Sequence, residues 1–193
     1  MGGEDISLRI AEPGDARAIA AIYAPIVRET AISFETEPPS PEVMAARIEG
    51  VLKSHPWLVA VRAGEVVGYA YAGEHAQRAA YRWSVNVTAY LAEAARRQGV
   101  GRKLYGALIP MLRAQGFRSA FAGIALPNAA SVGLHEAAGF QPLGVYRDVG
   151  FKLGRWHDVG YWRLALREDD GPPIEPAPFP DFRLTPSFVA MLG

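Results

Sequence analysis

"ARRQGVGRKLYGAL", residues 95–108, is the stretch whose reading decides this chain. Arg96 and Arg97 lead into Gly99 and Gly101, and Arg102 and Lys103 follow. From Val100 an apolar row begins at helical spacing and continues through Leu104, Leu108, Met111 and Leu112. The first N–H groups of a helix have no intrahelical acceptor, and the helix dipole places partial positive charge beside them. Glycines at that point let backbone approach a ligand closely, so the stretch predicts an anion site at a helix start. A glycine turn before a core helix, with its arginines solvated, fits the same short pattern. Pro110 lies inside the helix and predicts a kink, because it has no N–H to bond Gly106.

Spacing separates the familiar glycine loops. A nucleotide P-loop needs G-x-x-x-x-G-K-[ST], which the chain lacks. A dinucleotide fingerprint needs a third glycine where Leu104 stands. What remains is Arg96-x-x-Gly99-x-Gly101, with Gln98 and Val100 between, after a β-type run and before a helix.

Outward from that unit, "ISLRIA" (6–11) reads as a strand, and Pro13 opens a helix carrying Ile19, Ile22, Tyr23, Ile26 and Val27. Ser40 and Pro41 read as the cap and first position of a second helix ending near Leu52. Residues 56–73 hold two β-rich runs around Ala63-Gly64, a hairpin. Residues 81–91 and 119–126 are further strands, 128–140 contain a short helix, and 146–166 two last strands. The fold class is mixed α/β (α+β). Residues 1–168 form the body, and 169–193 a proline-rich tail that is extended or disordered unless Phe179, Phe182, Phe188 and Leu192 dock it.

Composition narrows the function classes. The 193 residues suit one domain with a substantial core. Twenty basic residues balance twenty acidic ones, so no nucleic-acid partner is expected. Cysteine is absent, which excludes disulfides, zinc–thiolate sites and a cysteine nucleophile. No run approaches the roughly 20 apolar residues of a membrane span, and the N-terminus lacks a signal-peptide core, so a cytoplasmic protein without a membrane partner is expected. His55, His75, His135 and His157 show no metal-ligand spacing, "HEAAG" at His135 lacks a second histidine, and no metal is expected. The sequon-like "NVT" at Asn86 falls in a strand and is set aside.

Arg96-x-x-Gly99-x-Gly101 after a β-run, Asn128 and Ser131, and His135-Glu136-Ala137-Ala138-Gly139-Phe140 downstream together resemble the GNAT N-acetyltransferase superfamily. "PWLVAV…GEVVGYAYAG", "AYRWSV", "LPNAASVGLHEAAGF" and "GFKLGRWHDVGYW" narrow the resemblance to the phosphinothricin and methionine-sulfoximine acetyltransferase group, over roughly residues 7–167. The resemblance implies a mostly antiparallel central sheet flanked by helices, with acetyl-CoA at a splayed strand and the glycine loop. It implies that N–H groups from Arg97 to Arg102 hold the pyrophosphate, with charge from Arg96, Arg97 and Arg102. Ala89, Tyr90 and Leu91 would pair with the pantetheine chain, and Asn128 and Ser131 would lie by the cofactor, Asn128 being equally readable as a helix cap.

The same resemblance assigns Phe34, Arg78, Tyr81, Thr88 and Tyr90 to the amino-acid pocket, with Arg78 suited to a carboxylate. Glu74 and His75 lie near this loop, and solvation is the commoner fate of such residues. His135 matches the group's histidine and is a candidate acid or base, or a residue packed on a short helix. The group's strand glutamate falls at Asn86, whose amide can position an amine or a water but cannot take a proton. That departure matters: near pH 7.5 roughly a quarter of an α-amine is neutral, against roughly a thousandth of a lysine-like amine. The resemblance implies acetyl transfer to a small amino-acid-like amine, and the absence of cysteine closes a covalent cysteine route, so direct transfer is expected. Another small amine, a protein N-terminus, or a module that binds acetyl-CoA without catalysis are the alternatives. A homodimer is implied by the resemblance, through "GFKLGRWHDVG".

Overall fold

The structure, a computed structural model, describes residues 5–168 and 171–192, of Leu192 only the backbone. Its strands are β1 (Ser7–Ile10), β2 (Trp57–Arg62), β3 (Glu65–Glu74), β4 (Ser84–Leu91), β5 (Ser119–Leu126), β6 (Gln141–Lys152) and β7 (Arg155–Ala165). They form one seven-stranded sheet in the order β1-β2-β3-β4-β5-β7-β6. Helices α1 (Ala16–Glu29) and α2 (Pro41–Leu52) cover one face, and α3 (Val100–Gln115) and α4 (Ala129–Ala137) belong to the other. The tail adds α5 (Phe179–Phe182) and α6 (Pro186–Leu192).

Every strand pair is antiparallel except β4 with β5. A parallel neighbour requires a long crossover, and the glycine loop with α3 is that crossover. The opening stretch therefore carries the chain across the sheet as well as forming a helix start. α3 runs without interruption through Pro110, as α1 does through Pro25.

Burial on both faces explains the unbroken apolar run of β2. Leu58 and Ala60 face the α3 side, whereas Trp57 and Val59 face α1 and α2. The helix stripe read from the sequence is the buried one: Ile19, Ile22, Tyr23, Ile26 and Val27 in α1, and Val100, Leu104, Leu108, Met111 and Leu112 in α3.

The described tail is folded against the body. Its prolines keep residues 172–178 out of helix and strand, yet backbone and side chains pin it. Ala177 N–H donates to the Gln115 carbonyl at 2.8 Å, and the Gln115 amide donates back to the Ala177 carbonyl at 2.9 Å. Trp83 Nε1 donates to the Ile174 carbonyl at 2.9 Å. Phe179 and Phe182 are 0% and 2% exposed within the α3-side core, with Phe188 against both rings. The Leu192 side chain, which the sequence offers as a further anchor, lies outside the described residues.

Emptying such a site removes a large buried ring that the surroundings cannot replace. Phe179→Ala is expected to cost about 3–5 kcal/mol in denaturant unfolding. An unchanged midpoint would show that the tail is no part of the core.

Candidate functional site

The glycine loop is held at both ends by buried side chains, Ala95 and Val100, while the residues between them are exposed. Arg97 has φ 58° and Gly99, the N-cap of α3, φ 80°. At Gly99 this left-handed backbone needs glycine. Arg96 N–H donates to the Glu93 carbonyl and Lys103 N–H to the Gly99 carbonyl. Between them, from Arg97 to Arg102, no backbone N–H has an acceptor among the described residues. Arg96, Arg97 and Arg102 are exposed and form no ion pair among the described residues. A row of unsatisfied donors with mobile positive charge around it fits a diphosphate-sized anion. Gln98 is tied back instead, its amide donating to the Ala94 carbonyl at 2.6 Å and accepting from Arg62 at 2.6 Å.

Gly101 has a different role from the one its sequence position suggests. A Cβ there would meet Leu134 at 3.1 Å and Leu91 at 3.7 Å. Its missing side chain lets α3 pack close to α4, and only its N–H is left for the candidate anion site.

Strand β4 pairs with β3 from Val85 to Leu91, but with β5 only from Ser84 to Asn86. Beyond Asn86 the β5-facing edge of β4 keeps its backbone polar groups unpaired by β5, including those of Ala89 and Leu91, while those of Tyr90 between them turn to β3. An extended amide chain could take the missing strand's place there. Asn128 caps α4, its Oδ1 accepting from Ser131 N–H at 3.1 Å.

Alternation along β4 puts Asn86, Thr88 and Tyr90 on the α1–α2 side of the sheet, because Val85 and Val87 lie in the α3-side core. Two cavities open there. One, of about 320 Å³, is lined by Ile32, Ser33, Phe34, Tyr90, Gly123, Val149 and Tyr161, among others. The other, of about 500 Å³, is lined by His75, Asn86, Phe121, Leu143, Gly144, Tyr146 and Tyr161. Tyr161 belongs to both, so they adjoin. A wider cleft of about 760 Å³ holds Leu91 and Arg96 and shares no residue with these two.

The wall carrying Phe34 is fixed by buried polar bonds. Lys152, 7% exposed, donates Nζ to the Val27 and Ser33 carbonyls at 2.6 Å each. Burial pushes this ammonium below the usual lysine value, while Glu35 pulls it up. Glu35 accepts from Arg47 at 2.7 and 3.0 Å and from the Tyr23 hydroxyl at 3.0 Å. The Arg47 bond holds the Glu35 carboxyl below its ordinary range, and burial pushes the Tyr23 phenol up to about 12. The Phe34 ring lies over Gly150, where any Cβ would overlap it.

Of the residues read from the sequence, the structure thus brings Phe34, Asn86 and Tyr90 to the cavities, with Thr88 between the last two on β4. Tyr81 is exposed, its ring edge on His75 at 5.9 Å. Arg78 is exposed at the head of the Ala79–Tyr81 turn and lines neither cavity. His135 lines neither cavity either. It is 5% exposed, with Nε2 2.9 Å from the Tyr105 hydroxyl and Nδ1 2.8 Å from the Ser131 carbonyl, and burial keeps it neutral to lower pH than an ordinary histidine. Both ring nitrogens are engaged in the α3–α4 interior, so the fold holds His135 as a packed, hydrogen-bonded residue rather than as an open base. Among the described residues no group of three or more His, Asp and Glu side chains converges on a metal site.

Sequence reasoning missed Gly123, Tyr146, Gly150, Lys152 and Tyr161, and placed His75 only near the substrate loop. Gly150 and Lys152 had a signal, a glycine and a lysine inside a β-type run. The bond of His75 to Asn86 was hidden, because it depends on the β3–β4 register.

Residues 8–160 match the acetyltransferase (GNAT) domain family. The chain is 39% identical over 172 residues to phosphinothricin N-acetyltransferase of Streptomyces viridochromogenes, covering 89% of this chain and 94% of that protein. It is 34% identical over 168 residues to the L-methionine sulfoximine/L-methionine sulfone acetyltransferase of Salmonella typhimurium, covering 86% and 98%. The structure of a phosphinothricin acetyltransferase from Sinorhizobium meliloti in complex with acetyl-CoA superimposes with a TM-score of 0.84 at 36% identity, covering 88% of this chain and 94% of that one.

Gly150→Ala should expel the Phe34 ring from its seat and reshape the smaller cavity. The expected outcome is a rise of at least tenfold in the KM of whatever amine enters there, with acetyl-CoA affinity within about twofold of the parent. Equal losses for both ligands would mean that the hairpin itself had shifted.

Proposed function

Because this chain belongs to the GNAT acetyltransferase family and is an acetyl-CoA-dependent N-acetyltransferase, we propose that its acceptor is the amine of a small amino acid of the phosphinothricin or methionine sulfoximine and sulfone type. The observation that carries this reading is the parting of β4 from β5 directly beside a two-part cavity walled by apolar and aromatic side chains. Residues 1–168 are the catalytic domain in this reading and 169–193 an accessory segment, and the setting is the cytoplasm.

The loop N–H groups from Arg97 to Arg102 would hold the acetyl-CoA pyrophosphate, with Arg96, Arg97 and Arg102 adding charge. The β4 edge at Ala89, Tyr90 and Leu91 would hold the pantetheine arm, near Asn128 and Ser131. Acetyl-CoA supplies an activated thioester carbonyl. The protein positions the amine against it: Phe34 and Tyr90 wall the cavity, Thr88 and Tyr81 flank it, and Arg78 reaches from its exposed turn for the carboxylate.

An amine panel with thiol release as the readout tests the reading. Phosphinothricin, methionine sulfoximine and methionine sulfone should turn over with a kcat/KM at least tenfold above lysine and short peptides. Tight acetyl-CoA binding without turnover of any amine would favour a non-catalytic module.

The reading includes a homodimer. Edge strand β6 and its hairpin partner expose Leu143, Phe151, Leu153 and Trp156, each close to 60% exposed. A long apolar edge of this kind is normally covered. The chain should sediment as a dimer, and Phe151→Asp with Trp156→Arg should yield a folded monomer. A monomeric parent would remove the dimer from the reading.

A further inference from the structure

The sequence leaves the acetyl-transfer site without the strand glutamate, and the structure places a histidine beside the amide that replaces it. His75 follows the last residue of β3, and its Nδ1 lies 3.0 Å from Asn86 Oδ1. Its ring stacks on Phe121, with centroids 4.3 Å apart at 26°, and meets the edge of Tyr81. His75, Asn86 and Phe121 line the same 500 Å³ cavity.

The hydrogen bonds assign the proton positions. Asn86 Nδ2 lies 3.3 Å from the Glu74 carbonyl, which can only accept, so the nitrogen of the amide faces Glu74 and its oxygen faces His75. That oxygen in turn can only accept, so His75 Nδ1 carries the hydrogen. The neutral ring then has its lone pair on Nε2, which has no partner among the described residues.

We propose that His75 is the catalytic base of this acetyltransferase and Asn86 its positioning residue, an assignment that rests on the acceptor site proposed above. Nε2 takes one proton from the substrate ammonium and passes it to water. The freed nitrogen lone pair forms the C–N bond to the acetyl carbon as the C–S bond breaks, and the proton lost by that nitrogen ends on the departing sulfur. An oriented imidazole is the ordinary protein base near neutral pH, and general-base catalysis is typically worth about 10² to 10⁴ in rate. The charged and titratable groups around the ring are Glu74 on its own strand, Arg78 and Tyr81 on the following turn, Tyr146 on β6, and Tyr161 and Arg163 on β7. Arg163 is engaged with Ser119.

Two measurements test this. In the unliganded protein, ¹⁵N spectra of the His75 ring should show the Nδ1–H tautomer, and Asn86→Ala should collapse it to a mixture. An Nε2–H tautomer in the parent would overturn the proposal whatever the activity. With the best amine from the panel, His75→Gln should lower kcat by about 10² to 10⁴ below the amine's pKa. The deficit should shrink as pH rises and neutral amine becomes abundant, while acetyl-CoA affinity and the circular dichroism spectrum stay those of the parent. Asn86→Asp should restore little of the rate that Asn86→Ala loses, because a carboxylate accepts from Nδ1 but has no hydrogen for the Glu74 carbonyl that holds the amide in place. A His75→Gln rate within threefold of the parent at every pH would overturn the assignment. An inactive parent would fault the acetyltransferase reading instead and leave the tautomer result standing.

Discussion

Strand β4 is bonded to β3 as far as Leu91 but to β5 only as far as Asn86, and the site depends on that loss. A parallel pair must be joined by a crossover, here the glycine loop and α3. The crossover leaves from the end of β4 that β5 has abandoned. Backbone polar groups that lose a neighbour must find another partner or water. On the β4 edge they face the gap, and at the start of α3 they face out of the helix end. Both sets lie on one continuous piece of chain, so a ligand with amides at one end and phosphates at the other could satisfy them together. The helix start and the strand gap are thus two consequences of one topological step.

The opposite wall depends on charge placed where sequence reading expects none. Lys152 sits in a β-hairpin strand, yet its ammonium is buried between carbonyls at the end of α1 and in the following loop. Burying an ammonium is costly unless its hydrogens find acceptors. Carbonyls 119 and 125 residues earlier in the chain provide them, and the cost of losing either fixes the hairpin against the loop. Phe34 can then rest on Gly150, and the smaller cavity keeps its shape without a ligand.

The elements were legible in the sequence where periodicity was strong. The stripes of α1 and α3, the caps at Ser40 and Asn128, and the strand over residues 119–126 follow from local pattern. The candidate anion loop stood out in the sequence because its spacing excludes other glycine loops. What stayed hidden needed contacts between distant residues. Gly101 reads as a ligand-facing glycine until α4 is placed beside it. His135 reads either as a base or as a packed residue until Tyr105, 30 residues earlier in the chain, is brought to its Nε2. The tail reads as either disordered by its prolines or docked by its phenylalanines, because composition does not show whether a groove exists to receive the rings.

The departure at Asn86 and the presence of His75 account for each other. The side chain at position 86 meets the Glu74 carbonyl on one side and the His75 ring on the other. A glutamate there would set a carboxylate against a carbonyl oxygen, two acceptors with no hydrogen between them, and the repulsion would turn it away or raise its pKa. An amide resolves the conflict because it donates on one side and accepts on the other. That property also makes it a poor base and a good orienter, since its two ends are distinct and fix which nitrogen of the neighbouring ring keeps its hydrogen. A single amide therefore transfers the basic role by one side chain, from the strand to the residue at the end of the hairpin beside it. The basic atom stays within the same cavity, so the change of base need not move the amine.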